Sequence, residues 1–345
     1  MKTIRFTAAL ISALAMAAIA QTPFQTPALL ISEDGSVQQA FLTAATKSQL
    51  TYRVTAVATD TATARVLDYK TIFLYEPREF SEAMDLYQAR KYQEAKEKFI
   101  AVKERFKPVY AVENSHAALA AFYELESLRK LGDLEGLATA LQQFDKSPLT
   151  RDTQLRQLEL YVLWDAVRAK DWATLEGLAR ERAKTRLPGD QRAQVAYLHG
   201  LALEGLARPD EALFAYQTAM TADAGASEEV AREAALRVLA ILNANPDVQR
   251  AIQLWGTPQE NKNSAGYNKL IEASAVARMF EQSLGVGVPL PAGFKGLLKY
   301  EPKDNGKQPE AEAAPEEKPA VEEKPADAKK PADEKPADGK KPAKP

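Results

Sequence analysis

The sequence predicts a mainly α protein: an α-solenoid of helical hairpins carrying a small N-terminal β-meander and a disordered C-terminal tail. Three observations predict it. From about Glu79 to Leu284, apolar residues recur with a period near 3.6 and are interrupted at intervals by Gly, Asp, Asn and Pro. Ahead of that stretch, residues 28–76 carry short runs of β-branched and aromatic residues. From about Lys303 to Pro345, Lys-Pro-Ala units alternate with acidic residues and no aromatic occurs.

In chain order, residues 1–20 read as a signal peptide. Lys2 and Arg5 make a positive start, Phe6 to Ala17 an apolar run, and Ala18-Ile19-Ala20 a small-x-small cleavage site. The apolar run is short for a membrane span, and no later stretch offers about 20 consecutive apolar residues. The expectation is therefore export to the periplasm or beyond, with no transmembrane segment in the mature chain. Within 28–76 the runs Val37–Leu42, Gln49–Val54 and Thr71–Tyr75 suit strands, and Glu33-Asp34-Gly35 is a turn signal. A sheet of about three to five strands needs a surface to pack on, so it is expected to lean on the first helices.

Residues 78–298 are expected to fold as the helical domain. Phe80, Ala83, Met84 and Tyr87 form one stripe and, after a break at Arg90-Lys91, Ala95, Phe99, Val102 and Phe106 form the next. A second hairpin has Leu119, Phe122, Leu125 and Leu128, a stop at Gly132-Asp133, then Leu137, Leu141 and Phe144. The third runs through Leu155, Leu158 and Val162, breaks at Lys170-Asp171, and resumes with Trp172, Leu175, Leu178 and Ala179 up to Pro188-Gly189-Asp190. The fourth has Val195, Leu198, Gly200 and Leu203, a turn at Arg208-Pro209-Asp210, then Ala212, Tyr216 and Ala219. A fifth spans Ser227 to Trp255 with its break at Asn245-Pro246-Asp247, and a last helix covers about 265–284. Gly285-Val286-Gly287-Val288-Pro289 reads as a chain exit, and residues 299–345, repetitive from about Lys303, as the tail.

The hairpins resemble tetratricopeptide (TPR) repeats, in which a small residue lies early on the first helix, an aromatic follows the turn, alanine comes three residues later and an aromatic four after that. Tyr92, Ala95 and Phe99 match in the first unit, and Gly200, Ala212, Tyr216 and Ala219 in the fourth. The other units keep the outline: Leu134 and Leu137, Trp172 and Leu175, then Val248, Ala251 and Trp255. Equivalent positions Ala95, Leu137, Leu175, Ala212 and Ala251 lie farther apart than the family's period of roughly 34 residues. The resemblance implies first helices that line a concave groove for a protein or peptide partner. Carried over by alignment, that groove takes Phe80, Met84 and Tyr87, then Phe122, Glu126 and Arg129, then Leu160, Trp164 and Arg168, then Tyr197, Leu201 and Glu204.

Composition and motifs speak against catalysis. The chain has no cysteine, which removes disulfides, thiolate metal sites, cysteine nucleophiles and a lipidated-cysteine anchor. Its two histidines, His116 and His199, have no partner histidine or cysteine at helical spacing, and each reads as structural, His199 as a hydrogen-bonded imidazole. No Walker loop, G-x-S-x-G, dinucleotide fingerprint or H-E-x-x-H is present. Glu228-Glu229 reads as negative charge at a helix start. A formal net charge of -2 gives no field that would attract nucleic acid. The expectations are thus a non-enzymatic scaffold or adaptor in the bacterial cell envelope, with no cofactor, no metal and no nucleic acid. A structural component of an envelope or outer-membrane assembly, its tail spanning the wall, is the alternative. Deleting residues from Lys303 onward is expected to leave the thermal midpoint unchanged; a large drop in a melting experiment would make the tail part of the packed body.

Overall fold

The computed structural model describes residues 23–223, 225, 227–285 and 287–301. The signal peptide expected over 1–20 and the repetitive tail from residue 302 lie outside the described residues. Five strands open the body: β1 Thr26–Ile31, β2 Val37–Ala45, β3 Gln49–Arg53, β4 Ala62–Arg65 and β5 Thr71–Leu74. Between β1 and β2, Gly35 takes a left-handed φ of 82° and the Ser36 amide donates to the Asp34 carboxylate at 2.9 Å, the chemistry of a tight turn. All pairings are antiparallel, in the order β4-β3-β2-β1-β5.

The expected meander is therefore only partial. Strands β1 to β4 follow one another, but β5 returns to the far edge of β1, with Ala28 opposite Leu74. Period-two alternation explains why: Ala28 and Leu30, Ala40 and Leu42, Leu50 and Tyr52, and Leu74 all bury one face of the sheet. That face joins a core with Phe80, Phe99, Phe106 and Val109, so the sheet does pack on the first helices.

Twelve helices follow among the described residues: α1 Arg78–Gln88, α2 Tyr92–Phe106, α3 His116–Leu131, α4 Leu134–Gln142, α5 Asp152–Arg168, α6 Trp172–Ala183, α7 Gly189–Gly205, α8 Pro209–Ala222, α9 Glu228–Ala244, α10 Pro246–Leu254, α11 Ala265–Met279 and the short α12 Ala292–Lys295. Local chemistry sets their ends. Gly132 (φ 72°) closes α3, and Arg90, Lys170 and Ala207 take the same left-handed conformation at the α1–α2, α5–α6 and α7–α8 turns. Asp133, Asp171 and Asn245 then cap α4, α6 and α10 by accepting from backbone amides in the first turn. Pro209 and Pro246 occupy the first helical position, where the missing N–H costs nothing.

Consecutive helices from α1 to α11 pack on one another along the chain, and odd-numbered helices also meet: α1 with α3, α5 with α7, α7 with α9 and α9 with α11. Helix α3 is buried nearly all round, only Tyr123, Lys130 and Leu131 escaping. Its Leu119 and Phe122 join the sheet-side core, while Leu125 and Leu128 begin a second core that continues to Tyr300. Two sequence expectations change here. Val162, placed on the third apolar stripe, is 57% exposed. Residues 290–301 do not leave the body at Gly285–Pro289: Leu290, Leu297 and Tyr300 are buried, and Tyr300 meets Trp255 edge to face at 5.0 Å. The packed body thus extends beyond residue 298, and a short apolar patch between prolines gave no periodicity from which to see it.

Close approach of α7 and α8 depends on Gly200, where a Cβ would lie 2.5 Å from the Tyr216 ring. Gly177 on α6 has open space around it. Gly200→Ala is expected to destabilise the body by about 1–3 kcal/mol through overpacking, and Gly177→Ala to stabilise it by about 0.5–1 kcal/mol through helix propensity. Urea unfolding of the two variants reads both signs.

Candidate partner-binding face

The residues expected on the groove separate into three groups. Phe80 packs against Phe99 and His116, with ring centroids 6.0 and 5.2 Å away, and Met84 lies half-buried beside it. Leu160, Trp164, Tyr197 and Leu201 are buried in the second core, Tyr197 lying 6.2 Å from Trp164 and 5.8 Å from Tyr216. These side chains hold helices together. Arg168 and Glu204 serve as surface ties: Arg168 donates to Asp165 at 2.7 Å, and Glu204 accepts from Tyr216 Oη at 2.7 Å and Arg237 at 3.2 Å. Tyr87, Phe122, Glu126 and Arg129 form the third group and line two adjoining cavities.

Those cavities, of about 300 and 230 Å³, share Tyr87, Glu126 and Asp190 and draw residues from α1, α3, α5, α7 and α9, with Tyr92 at the start of α2. Helix periodicity puts Phe122, Glu126 and Arg129 on one side of α3, since residues three to four apart share a face, and Tyr87 joins them from α1. At its centre lies an ion cluster. Arg129, whose side chain is 3% exposed, grips Glu126 through Nε and Nη2 at 3.0 Å each and reaches Glu229 through Nη1 at 2.9 Å. Lys130 donates to the other Glu229 oxygen at 3.0 Å, Tyr161 donates to Glu126 at 2.7 Å, and Arg90 pairs with Glu228. The Arg129 guanidinium also lies 5.9 Å from the Trp164 ring, and the Lys130 ammonium 5.4 Å from that of Tyr92.

Burial works against charge on both carboxylates, pushing Glu126 and Glu229 up, but the Arg129 and Lys130 charges more than offset it, so both sit below the ordinary value of 4.5. The guanidinium of Arg129 is likewise held charged: burial disfavours it, and Glu126 and Glu229 overcome that. Burial first, then the Glu126 charge, pushes the Tyr161 phenol far above its usual range. Glu126, Glu229 and Arg129 are therefore held charged, and the Tyr161 phenol is held neutral.

Several residues here escaped sequence reasoning. Glu229 does stand at a helix start, yet its partners are on α3, 99 and 100 residues away. Gln157 and Gln194 exchange reciprocal amide hydrogen bonds at 3.0 Å, and Trp164 Nε1 donates to Gln194 at 3.2 Å. Gln154 and Gln191 line the smaller cavity. The signal that could have found these glutamines is their recurrence: Gln157 and Gln194 are 37 residues apart, and Gln154 and Gln191 share that offset.

Both histidines are neutral packing groups. Burial pulls each below its ordinary value, only partly countered by Glu76 for His116 and Glu176 for His199. His199 Nε2 lies 3.8 Å from Glu176 and has no hydrogen-bond partner among the described residues. Among the described residues, no group of three or more His, Asp or Glu is placed to hold a metal ion, and no helix is long and apolar enough to cross a membrane.

Arg129→Met leaves two buried carboxylates without their main counter-charge and is expected to cost about 3–5 kcal/mol at pH 7. The wild-type ion pairing is fully stabilising above pH about 4.5 and is lost as pH falls through the lowered folded values. In the variant, protonation relieves the orphaned carboxyls, so urea unfolding at pH 7 and pH 4 should show the penalty shrinking with acid. Comparison of the chain with protein-family models, with curated proteins and with solved structures gives no match.

Proposed function

We propose that this chain is a non-enzymatic binding scaffold, an exported bacterial solenoid of TPR-like repeats whose first helices hold a protein or peptide partner in the cell envelope. One observation carries the reading: five odd-numbered helices contribute side chains to a single polar and aromatic face with two adjoining cavities. Tyrosine and arginine, the residue types that dominate interface energetics, are both present there as Tyr87, Tyr123 and Arg151. The repeat resemblance gains support from packing. Gly200 makes room for Tyr216, and Ala212 and Ala219 are buried beside that ring on the second helix of the pair. In the first pair Ala95 and Phe99 are buried in the same relation. Repeats of this kind stack so that each buries its neighbour's apolar face and leaves one curved wall for contact. Export rests on Lys2, Arg5, the apolar run and the Ala18-Ile19-Ala20 site.

Crosslinking in intact cells, followed by capture of the full chain from the envelope fraction, tests the reading. A stoichiometric protein partner should be retained by wild type and by Phe214→Ser, a change on an exposed α8 residue that lines neither cavity, and depleted at least tenfold by Arg151→Glu in the smaller cavity. Equal retention by both variants, or capture of wall or membrane material alone, contradicts it.

A further inference from the structure

In the sheet order β4-β3-β2-β1-β5, strand β5 is an outer edge. Its register shows which backbone groups are already used: the Tyr75 amide donates to the Pro27 carbonyl at 3.3 Å, and Phe73 lies opposite Leu29. Hydrogen-bonding groups alternate sides along an antiparallel strand, so those of Phe73 and Tyr75 turn to β1. The N–H and C=O of Ile72 and Leu74 turn outward, where no strand pairs among the described residues. Such an open row is a template for another strand, and proteins usually guard it with a charge, a proline or a bulge. The opposite edge has Arg65 within β4, whereas Thr71-Ile72-Phe73-Leu74 carries none of the three.

The side chains around this edge complement a copy of themselves. Phe73 and Tyr75, on the face turned away from the core, are 51% and 41% exposed and meet edge to face at 5.5 Å. Lys70 stands just before β5 and Glu76 shortly after it, both exposed, and neither makes an ion pair among the described residues. Antiparallel pairing about a two-fold axis at Phe73 sets Phe73 opposite Phe73, Ile72 opposite Leu74 and Lys70 opposite Glu76. An axis at Ile72 or at Leu74 would instead set Lys70 against Leu74 or Glu76 against Ile72. The flanking charges thus select one register.

We infer that β5 is an interface for a second copy of this chain, whose own β5 adds antiparallel and joins the two sheets into one. Ile72 and Leu74 of facing strands exchange both backbone hydrogen bonds. The two Phe73 rings meet at the axis, in the closer, non-hydrogen-bonded kind of pair where aromatic contacts contribute most. Lys70 meets Glu76 at each end. Opposite charges at the two ends of one short strand, with an aromatic at its centre, are what an isologous pairing requires. An unrelated extended segment would need a matching pattern of its own.

Analytical ultracentrifugation of the purified full chain over a concentration series tests this. It needs no other protein and the changes lie outside both inner cavities, so the outcome is separate from that of the scaffold reading. Wild type should show a reversible monomer–dimer equilibrium. Lys70→Glu sets acid against acid and Glu76→Lys base against base, so each variant alone should dimerise about tenfold more weakly or worse. Mixed in equal amounts, the two variants should recover a heterodimer, because every facing charge pair is again of opposite sign. A single chain carrying both changes should dimerise like wild type. Circular dichroism spectra should match wild type throughout, since both positions are exposed. A wild-type chain that stays monomeric up to about 1 mM overturns the inference. So do single variants that dimerise as tightly as wild type, or a mixture that associates no better than its components.

Discussion

Arg129 joins parts of the chain that sequence keeps far apart. It sits on α3, takes Glu126 from its own helix, and meets Glu229 at the start of α9. Most other contacts in the helical body link an element to its near neighbours, and such packing alone fixes only how each pair follows the last. A charge cluster between α3 and α9 sets how the odd helices come together around the inner face. Its geometry is demanding because a buried charge tolerates little misplacement: desolvation costs several kcal/mol per ion and is offset only by good hydrogen bonds. Arg129 meets that demand with contacts at 2.9–3.0 Å to two carboxylates.

Helix α3 makes this possible. Its Ala117, Ala118, Leu119 and Ala120 are buried in the sheet-side core, whereas Leu125 and Leu128 belong to the helical core beyond. A helix buried on nearly every side must satisfy whatever polar groups it carries, and α3 carries Glu124, Glu126, Ser127 and Arg129. Lys103 partners Glu124 at 2.6 Å, and the Ser127 hydroxyl donates to the Tyr123 carbonyl at 2.7 Å. The same helix therefore links both cores and presents the cluster to the inner face.

Much of the helical architecture was legible because its signals are local. Gly132, Asp133, Asp171, Asn245, Pro209 and Pro246 act through their own backbone or the next turn, and the hairpin boundaries fall where these residues stand. Strand β4 was not legible: Ala62-Thr63-Ala64-Arg65 alternates, but its apolar residues are alanines with neither β-branched nor aromatic bulk, and it pairs with β3 at the sheet edge. The covering segment that ends at Tyr300 was hidden for a related reason, its buried residues being few and separated by prolines and glycines. The resemblance to tetratricopeptide repeats put Tyr87, Phe122, Glu126 and Arg129 among the expected groove residues, and these four line the two cavities. It could not separate them from Leu160, Trp164, Tyr197 and Leu201, which share the same period yet are spent on packing. Glu229 lay beyond reach, because nothing in a sequence announces an ion pair across 100 residues.

The energetic coupling between Arg129 and Glu229 tests the account most directly. A double-mutant cycle with Arg129→Met, Glu229→Gln and the pair, read by urea unfolding, should give an interaction of about 0.5–3 kcal/mol beyond the sum of the single changes. Effects that add to within about 0.3–0.5 kcal/mol would mean that the two residues do not meet. The convergence of α3 and α9 on a shared inner face would then be wrong.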